Sequence, residues 1–331
     1  MTKIKLLDTF AWVGGFHLAL EQSIGKENVE CIWYSEIDKF AKQVYSERFP
    51  NSKDLGSITE LDIDWLEDFD LLTWWFPCQD VSVAWKQSLE WWRTVLVEYL
   101  LQILEKKQPK YFVFENVKGL MSKKFDEFRN SIISRILDAW YNLSMNVLNT
   151  KDFLLPQNRE RVFMVGRLIK SDNGFDFPKW KELTTFLKDI LEEEVDEKYY
   201  LSQEKIEKIK NSTFNQEKRR IQWNKICETL LARDYKDPKC AVINMYNKNI
   251  VTKICWTIST AAWFTDVAWF TNIESENRAR KLTPTEYARL QWFPDTWSTD
   301  FVSNSQAYKQ MWNAISVPVV KSIFDNLLED D

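Results

Sequence analysis

Residues 4–24 read IKLLDTFAWVGGFHLALEQSI, and the order of residue types in them decides the fold class. Residues 4–8 read as a short buried strand. Residues 9–16 read as a turn carrying Gly14 and Gly15, and residues 17–24 as a helix. A strand, a glycine-bearing turn and a helix in direct succession form the repeating unit of parallel α/β sheets. Such a turn points backbone N–H groups at a nucleotide-like ligand. An ordinary tight strand-to-helix connection uses the same glycines, so this stretch alone leaves both readings open.

The pattern continues outward. VECIWYS (29–35) is a second strand ending on Glu36, and DKFAKQVYSERF (38–49) a helix. FDLLT (69–73) is a third strand, and TVLVEYLLQILEKKQP (94–109) has helical periodicity. KYFVFEN (110–116) is an apolar strand ending in Glu115-Asn116, and RVFMVG (161–166) is another. Strands alternating with helices predict a mostly parallel, doubly wound α/β sheet with ligand sites at the carboxyl ends of its strands. From 170 to 275 the chain turns Lys/Glu-rich (SQEKIEKIKNSTFNQEKRRIQ) and then irregular, which predicts a smaller separate domain. LTPTEYARLQ (282–291) and AISVPVVKSIFDNLLE (314–329) resume regular periodicity. The expected division is therefore 1–169, 170–275, and a segment 276–331 that returns to the first domain.

Composition narrows the chemistry. With 331 residues, 45% hydrophobic and 28% charged, the chain is an ordinary globular one. No run of ~18 apolar residues and no signal-peptide layout at MTKIKLLDTF predict a cytoplasmic protein without membrane attachment. Five cysteines without CxxC spacing argue against a disulfide framework or a zinc site, so no metal is expected. The one histidine, His17, excludes Ser-His-Asp and Cys-His machinery unless that residue serves. A net charge of −5 leaves any nucleic-acid contact to a local patch. The anomaly is 7 glycines against 17 tryptophans, where average usage gives roughly 23 glycines.

Three further segments offer reactive side chains. In FPCQDVSVAWK (76–86), Cys78 follows Pro77 at a strand end, in polar company that suits an exposed loop better than a core. It reads as a nucleophile or as a buried structural cysteine. Glu115 closes an apolar strand, where a partly desolvated carboxyl suits a proton donor; a solvated strand end is the alternative. In QNRERVF (157–163), Arg159 and Arg161 stand two apart before a strand, able to face one side and bind a carbonyl or phosphate, or to be surface arginines.

Taken in order, the blocks DTFAWVGGF, YSEIDKFA, GSIT, FPCQDVSVA, FENVKGL, LLPQNRERVFMVG, KLTPTEYARLQWFPD and YKQMWNAISVPVV resemble the motif series of the DNA (cytosine-5)-methyltransferases of prokaryotes and phages. The resemblance covers almost the whole chain except 170–275. It implies a Rossmann-like S-adenosylmethionine-dependent methyltransferase fold, and assigns 170–275 to target recognition. The implied methyl donor is S-adenosyl-L-methionine. Phe10 and the turn of Trp12, Gly14 and Gly15 would line its methionine end, Glu36 would hold the ribose, and Ile37 and Ile58 would flank the adenine. Pro77 and Asn313 also fall in the donor-side motifs. Ser57 stands where the family has Asp, which puts the adenine amino contact in question.

The resemblance further implies that Cys78 adds to C6 of a flipped-out cytosine while Glu115 serves N3. Arg161 would hold O2, and Arg159 would steady the loop or the thiolate. The partners implied are double-stranded DNA and, in a restriction–modification setting, a cognate restriction endonuclease; the expected state is a monomer. An RNA cytosine-5 methyltransferase acting on tRNA is the rival on the same fold, and a catalytically dead DNA-binding homologue a second.

The departures from the family pattern share one residue type. Trp12, Trp75, Trp85, Trp292 and Trp312 fall where the family has glycine, and Trp33, Trp74, Trp91, Trp92 and Trp140 are further candidates. Trp65 and Trp297 stand where an aromatic is ordinary. Either these tryptophans are genuine, or UGA codons read as glycine in the source have been rendered as tryptophan.

Overall fold

The computed structural model describes residues 3–75, 92–169, 174–204, 227–228, 241–244 and 278–329. The described chain divides into two compact units. One is Met1–Asn149, Glu160–Trp180 and Ile315–Asp331, and the other is Thr150–Arg159 and Lys181–Ala314.

The first unit holds a seven-stranded sheet of order β3-β2-β1-β4-β5-β8-β6. Its strands are β1 (Ile4–Thr9), β2 (Val29–Ser35), β3 (Lys53–Asp54), β4 (Leu71–Trp75), β5 (Tyr111–Val117), β6 (Tyr141–Asn149) and β8 (Glu160–Leu168). β1 to β5 pair in parallel. β8 runs antiparallel to both β5 and β6, so the mostly parallel sheet carries one reversed strand, β8, just inside the edge strand β6. The strand order turns back between β1 and β4, and that is where an open α/β sheet leaves its ligand crevice.

Local chemistry sets the helices. α1 (Gly15–Ile24) starts two residues earlier than its periodicity predicts, because Gly14 takes φ 82° and turns the chain straight into it. α2 (Lys39–Arg48) is capped by Asp38, whose carboxylate accepts from the N–H groups of Phe40 and Ala41. α3 (Trp92–Lys107), α4 (Asp126–Asp138) and, at the C-terminus, α8 (Val317–Leu327) complete the unit. Leu7, Leu72, Leu100, Leu104, Phe112 and Ile136 are fully buried in one core under the sheet.

The second unit contains β7 (Gln157–Asn158), α5 (Leu187–Ile190), β9 (Cys227–Glu228), β10 (Ala241–Asn244), β11 (Arg278–Lys281), α6 (Pro284–Arg289) and α7 (Asn304–Asn313). In this grouping 278–314 falls with the second unit and 315–331 with the first. The cause is a buried cluster. Arg280, on β11, forms a two-pronged ion pair with Glu286 on α6, at 2.6 and 2.8 Å. The Glu192 N–H also reaches Glu286, at 2.9 Å. Thr283 and Glu286 form the capping box that starts α6, with Pro284 inside its first turn. Most of the expected 170–275 domain lies outside the described residues.

Candidate active site

Glu115 and Arg161 meet where the sheet changes direction. Glu115 is aligned in parallel register with Trp75, the last residue of β4, and in antiparallel register with Phe163 of β8. Its side chain is 1% exposed, and its Oε1 lies 3.1 Å from Nε of Arg161, itself 16% exposed. The segment holding Pro77 and Cys78 leaves β4 directly after Trp75, and both residues lie outside the described ones. A small, largely apolar pocket beside the pair is lined by Trp74, Phe114, Glu115, Asn116, Val162 and Met164.

A second cluster lies at the carboxyl ends of β1 and β2. Glu36 is buried and accepts three backbone N–H groups: Trp12 at 2.9 Å, Ile37 at 2.7 Å and Asp38 at 2.8 Å. Burial pushes its carboxyl upward, and those three bonds pull it back. Three bonds leave part of a carboxylate's acceptor capacity unused. Ile37 beside it is 77% exposed, an apolar side chain presented to solvent at the mouth of the crevice. Ser57 caps the short turn at Ile58–Glu60 by accepting from Thr59, and Ile58 is buried. Phe10 is half-buried against the core. The rings of Trp12 and Trp75 face each other at 6.4 Å between centroids, tilted by 46°. The structure thus brings Trp12, Glu36 and Ile37 together, with an indole pair between the ends of β1 and β4.

Beneath this turn is a buried polar network that the sequence reading missed. Asp8 is fully buried and accepts from Thr73 Oγ1 at 2.7 Å and from the Tyr45 hydroxyl at 3.3 Å. Tyr45 also meets Cys31 Sγ at 3.3 Å and His17 Nδ1 at 3.2 Å. Burial pushes Asp8 up to about 8 and Cys31 up to about 12. Burial, with help from Lys26, pushes His17 down to about 3. His17 stacks on Phe49 at 3.7 Å between centroids and is neutral at pH 7, so it acts as a packed core residue. The only sequence signal for this network was a charged residue, Asp8, inside an apolar strand.

In the second unit, Arg159 is 1% exposed, and its guanidinium donates to the carbonyls of Trp312 at 3.2 Å and Ala314 at 2.9 Å. It pins the chain around Asn313, which is itself buried at the end of α7. Arg159 and Arg161 therefore serve separate partners, although the sequence places them two residues apart. Among the described residues no His/Cys/Asp/Glu group could hold a metal ion, and no helix is long and apolar enough to cross a membrane.

The family model for C-5 cytosine-specific DNA methylases matches residues 4–329. The type II methyltransferase M.NlaX of Neisseria lactamica is 33% identical over 98% of this chain and 96% of its own. M.HpaII of Haemophilus parainfluenzae, also a type II methyltransferase, is 33% identical over 99% of this chain and 90% of its own. The crystal structure of the S. pombe Dnmt2 methyltransferase superposes with a TM-score of 0.70 at 20% identity, covering 99% of each chain.

Proposed function

The chain belongs to the C-5 cytosine-specific DNA methylase family, and from that premise we propose that it moves a methyl group from S-adenosyl-L-methionine to carbon 5 of cytosine in a specific sequence of double-stranded DNA. The observation that carries this reading is the register of β4 with β5. It aligns Trp75, two residues before Pro77 in the sequence, with Glu115 of the buried Glu115–Arg161 pair.

The crevice fits the donor at its nucleoside end. Glu36 has acceptor capacity left for ribose hydroxyls, and exposed Ile37 offers an apolar face to a base. At the methionine end the written sequence does not fit, because the indoles of Trp12 and Trp75 stand between the ends of β1 and β4. When bound, the donor supplies an electrophilic methyl group.

The protein's own residues prepare the base. Cytosine's C5 is a poor nucleophile while the ring is aromatic. The Cys78 thiolate adds to C6, forming an S–C bond as the ring's π electrons move toward N3. Glu115 holds a proton at N3, which leaves an electron-rich enamine at C5. Arg161 stabilises the Glu115 carboxylate and would hold the base's O2. Loss of the C5 proton later restores the double bond and expels the thiolate. None of this can occur within a stacked duplex, so the target base flips out. The region 170–275 reads the sequence around it through the major groove. A cognate restriction endonuclease sharing that sequence is the expected functional partner.

The test uses Cys78→Ser. The variant should lose methyl transfer to duplex DNA and keep duplex binding, read by labelled-methyl incorporation and by gel shift. Retained transfer would remove Cys78 from the reaction. Parent enzyme that methylates tRNA and leaves duplex oligonucleotides unmodified would favour the RNA reading.

A further inference from the structure

We propose that the working polypeptide carries glycine, not tryptophan, at positions 12, 75, 140 and 292, because its source reads the codon at these positions as glycine. Backbone conformation carries the argument. Among the described residues, six that are not glycine have positive φ, and three of the six are tryptophan: Trp12 at 51°, Trp140 at 67° and Trp292 at 67°. Tryptophan makes up only 17 of the 331 residues. The left-handed region crowds any Cβ, and the residues that tolerate it best besides glycine are Asn, Asp and His, not a bulky aromatic. The chain's written glycines use the same region at Gly14, Gly25 and Gly56.

Two of the three tryptophans stand where helices end. Trp140 directly follows Ala139, the C-cap of α4, and its N–H returns to Leu137 O at 3.0 Å. After α6, the Trp292 N–H returns to Arg289 O at 3.0 Å and that of Phe293 to Ala288 O at 2.9 Å. This nested pair of bonds closes a helix around one left-handed residue, the position where glycine is most favoured. Both indoles are largely in solvent, 68% exposed at 140 and 50% at 292, so burial offsets little of the backbone cost. Trp297 behaves differently. It is 6% exposed, packs against Phe293 at 5.5 Å and has no positive φ, as a genuine core aromatic should. Trp33 and Trp74, each 1% exposed in the sheet core, are left out of the proposal.

Position 12 rests also on the donor-site reading, and position 75, which has no positive φ, rests on that reading alone. Glycine at both would empty the space between β1 and β4 that the two indoles now share. It would leave in place the backbone bond from residue 12 to Glu36. The same substitution explains the shortage of glycine and the excess of tryptophan together.

Peptide mass spectrometry of the protein isolated from its source decides the matter. Trypsin releases 6–26, 54–86, 136–151 and 290–309, which contain positions 12, 75, 140 and 292. Each should be lighter by the Trp-to-Gly difference at those positions, with tryptophan retained at 65 in the second and at 297 in the last. Tryptophan at 12, 75, 140 or 292 would overturn the proposal, and glycine at 297 would overturn its selectivity. Calorimetry separates this from the functional reading. A chain made with glycine at 12 and 75 should bind S-adenosylmethionine at least tenfold more tightly than the literal chain. Glycine in the native peptides with no donor binding by either form would sink the donor site and leave the residue assignment standing.

Discussion

The Glu115 carboxylate lies 3.1 Å from Arg161 Nε across the antiparallel β5–β8 pair, 1% and 16% exposed respectively. The pair is shut off from bulk water on the carboxylate side, so Glu115→Gln keeps the shape and removes the charge. Methyl transfer to duplex DNA should fall by about a hundredfold or more, the usual contribution of a positioned acid–base group. Duplex binding should persist. Activity equal to the parent's would take Glu115 out of the chemistry. Arg161→Lys should not restore the parent's rate, because an ammonium lacks the planar fork of a guanidinium.

Arg159 predicts a different phenotype. Its two donors satisfy the carbonyls of Trp312 and Ala314. Arg159→Met should therefore lower stability by about 2–4 kcal/mol, the cost of orphaning buried acceptors of a charged donor. Arg159→Lys should recover only part of it, since one ammonium does not reach both carbonyls in the guanidinium's geometry. Urea unfolding gives the number. A variant with unchanged stability and lost turnover would instead place Arg159 in the reaction.

How legible these sites were depended on how local their cause was. The β1–turn–α1 unit stands in the sequence because an apolar run and two glycines determine it within 21 residues. Glu115 was legible because its strand is apolar up to the carboxylate. β6 was not, because YNLSMNVLN mixes polar and apolar residues without a clear period. The antiparallel direction of β8 was hidden for another reason: it depends on partners about fifty residues away in β5. The return of 278–314 to the second unit follows from the buried Arg280–Glu286 pair. Spacing shows that those two residues are six apart but not that both are buried. The Asp8–Tyr45–His17–Cys31 network joins four elements, β1, α2, α1 and β2, and one chain read in order does not bring them together.

That ion pair can be tested by removing one partner and then both. Arg280 and Glu286 are 1% and 0% exposed, and Glu286 also accepts the N–H of Thr283 at 2.8 Å. Glu286→Gln should cost about 3–5 kcal/mol, because it leaves a guanidinium buried without its counter-charge. Arg280→Met with Glu286→Gln should cost less than Glu286→Gln alone, since no unpaired charge remains. A urea double-mutant cycle measures the coupling. Additive losses would mean that the pair is solvated in solution.

The network under the crevice predicts how stability follows pH. His17, held near 3 when folded against an ordinary 6.5, binds a proton in the unfolded chain but not in the folded one between those values. Its contribution therefore makes stability rise with pH across that window. Asp8, raised from 3.8 to about 8, does the reverse: the folded chain keeps a proton that the unfolded chain has released, so stability falls as pH rises through its window. Glu36, pushed up by burial, acts in the same sense as Asp8. The two slopes oppose each other between 3.8 and 6.5, and above 6.5 the Asp8 slope is unopposed by His17. The urea midpoint should therefore decline from pH 6.5 to 8. Asp8→Asn keeps the acceptor for Thr73 and carries no titrating proton, so it should flatten that decline while leaving the acid limb to His17. A decline of unchanged slope in the variant would mean that Asp8 is already ionised in the folded protein, with Thr73 and Tyr45 stabilising its charge more than burial penalises it.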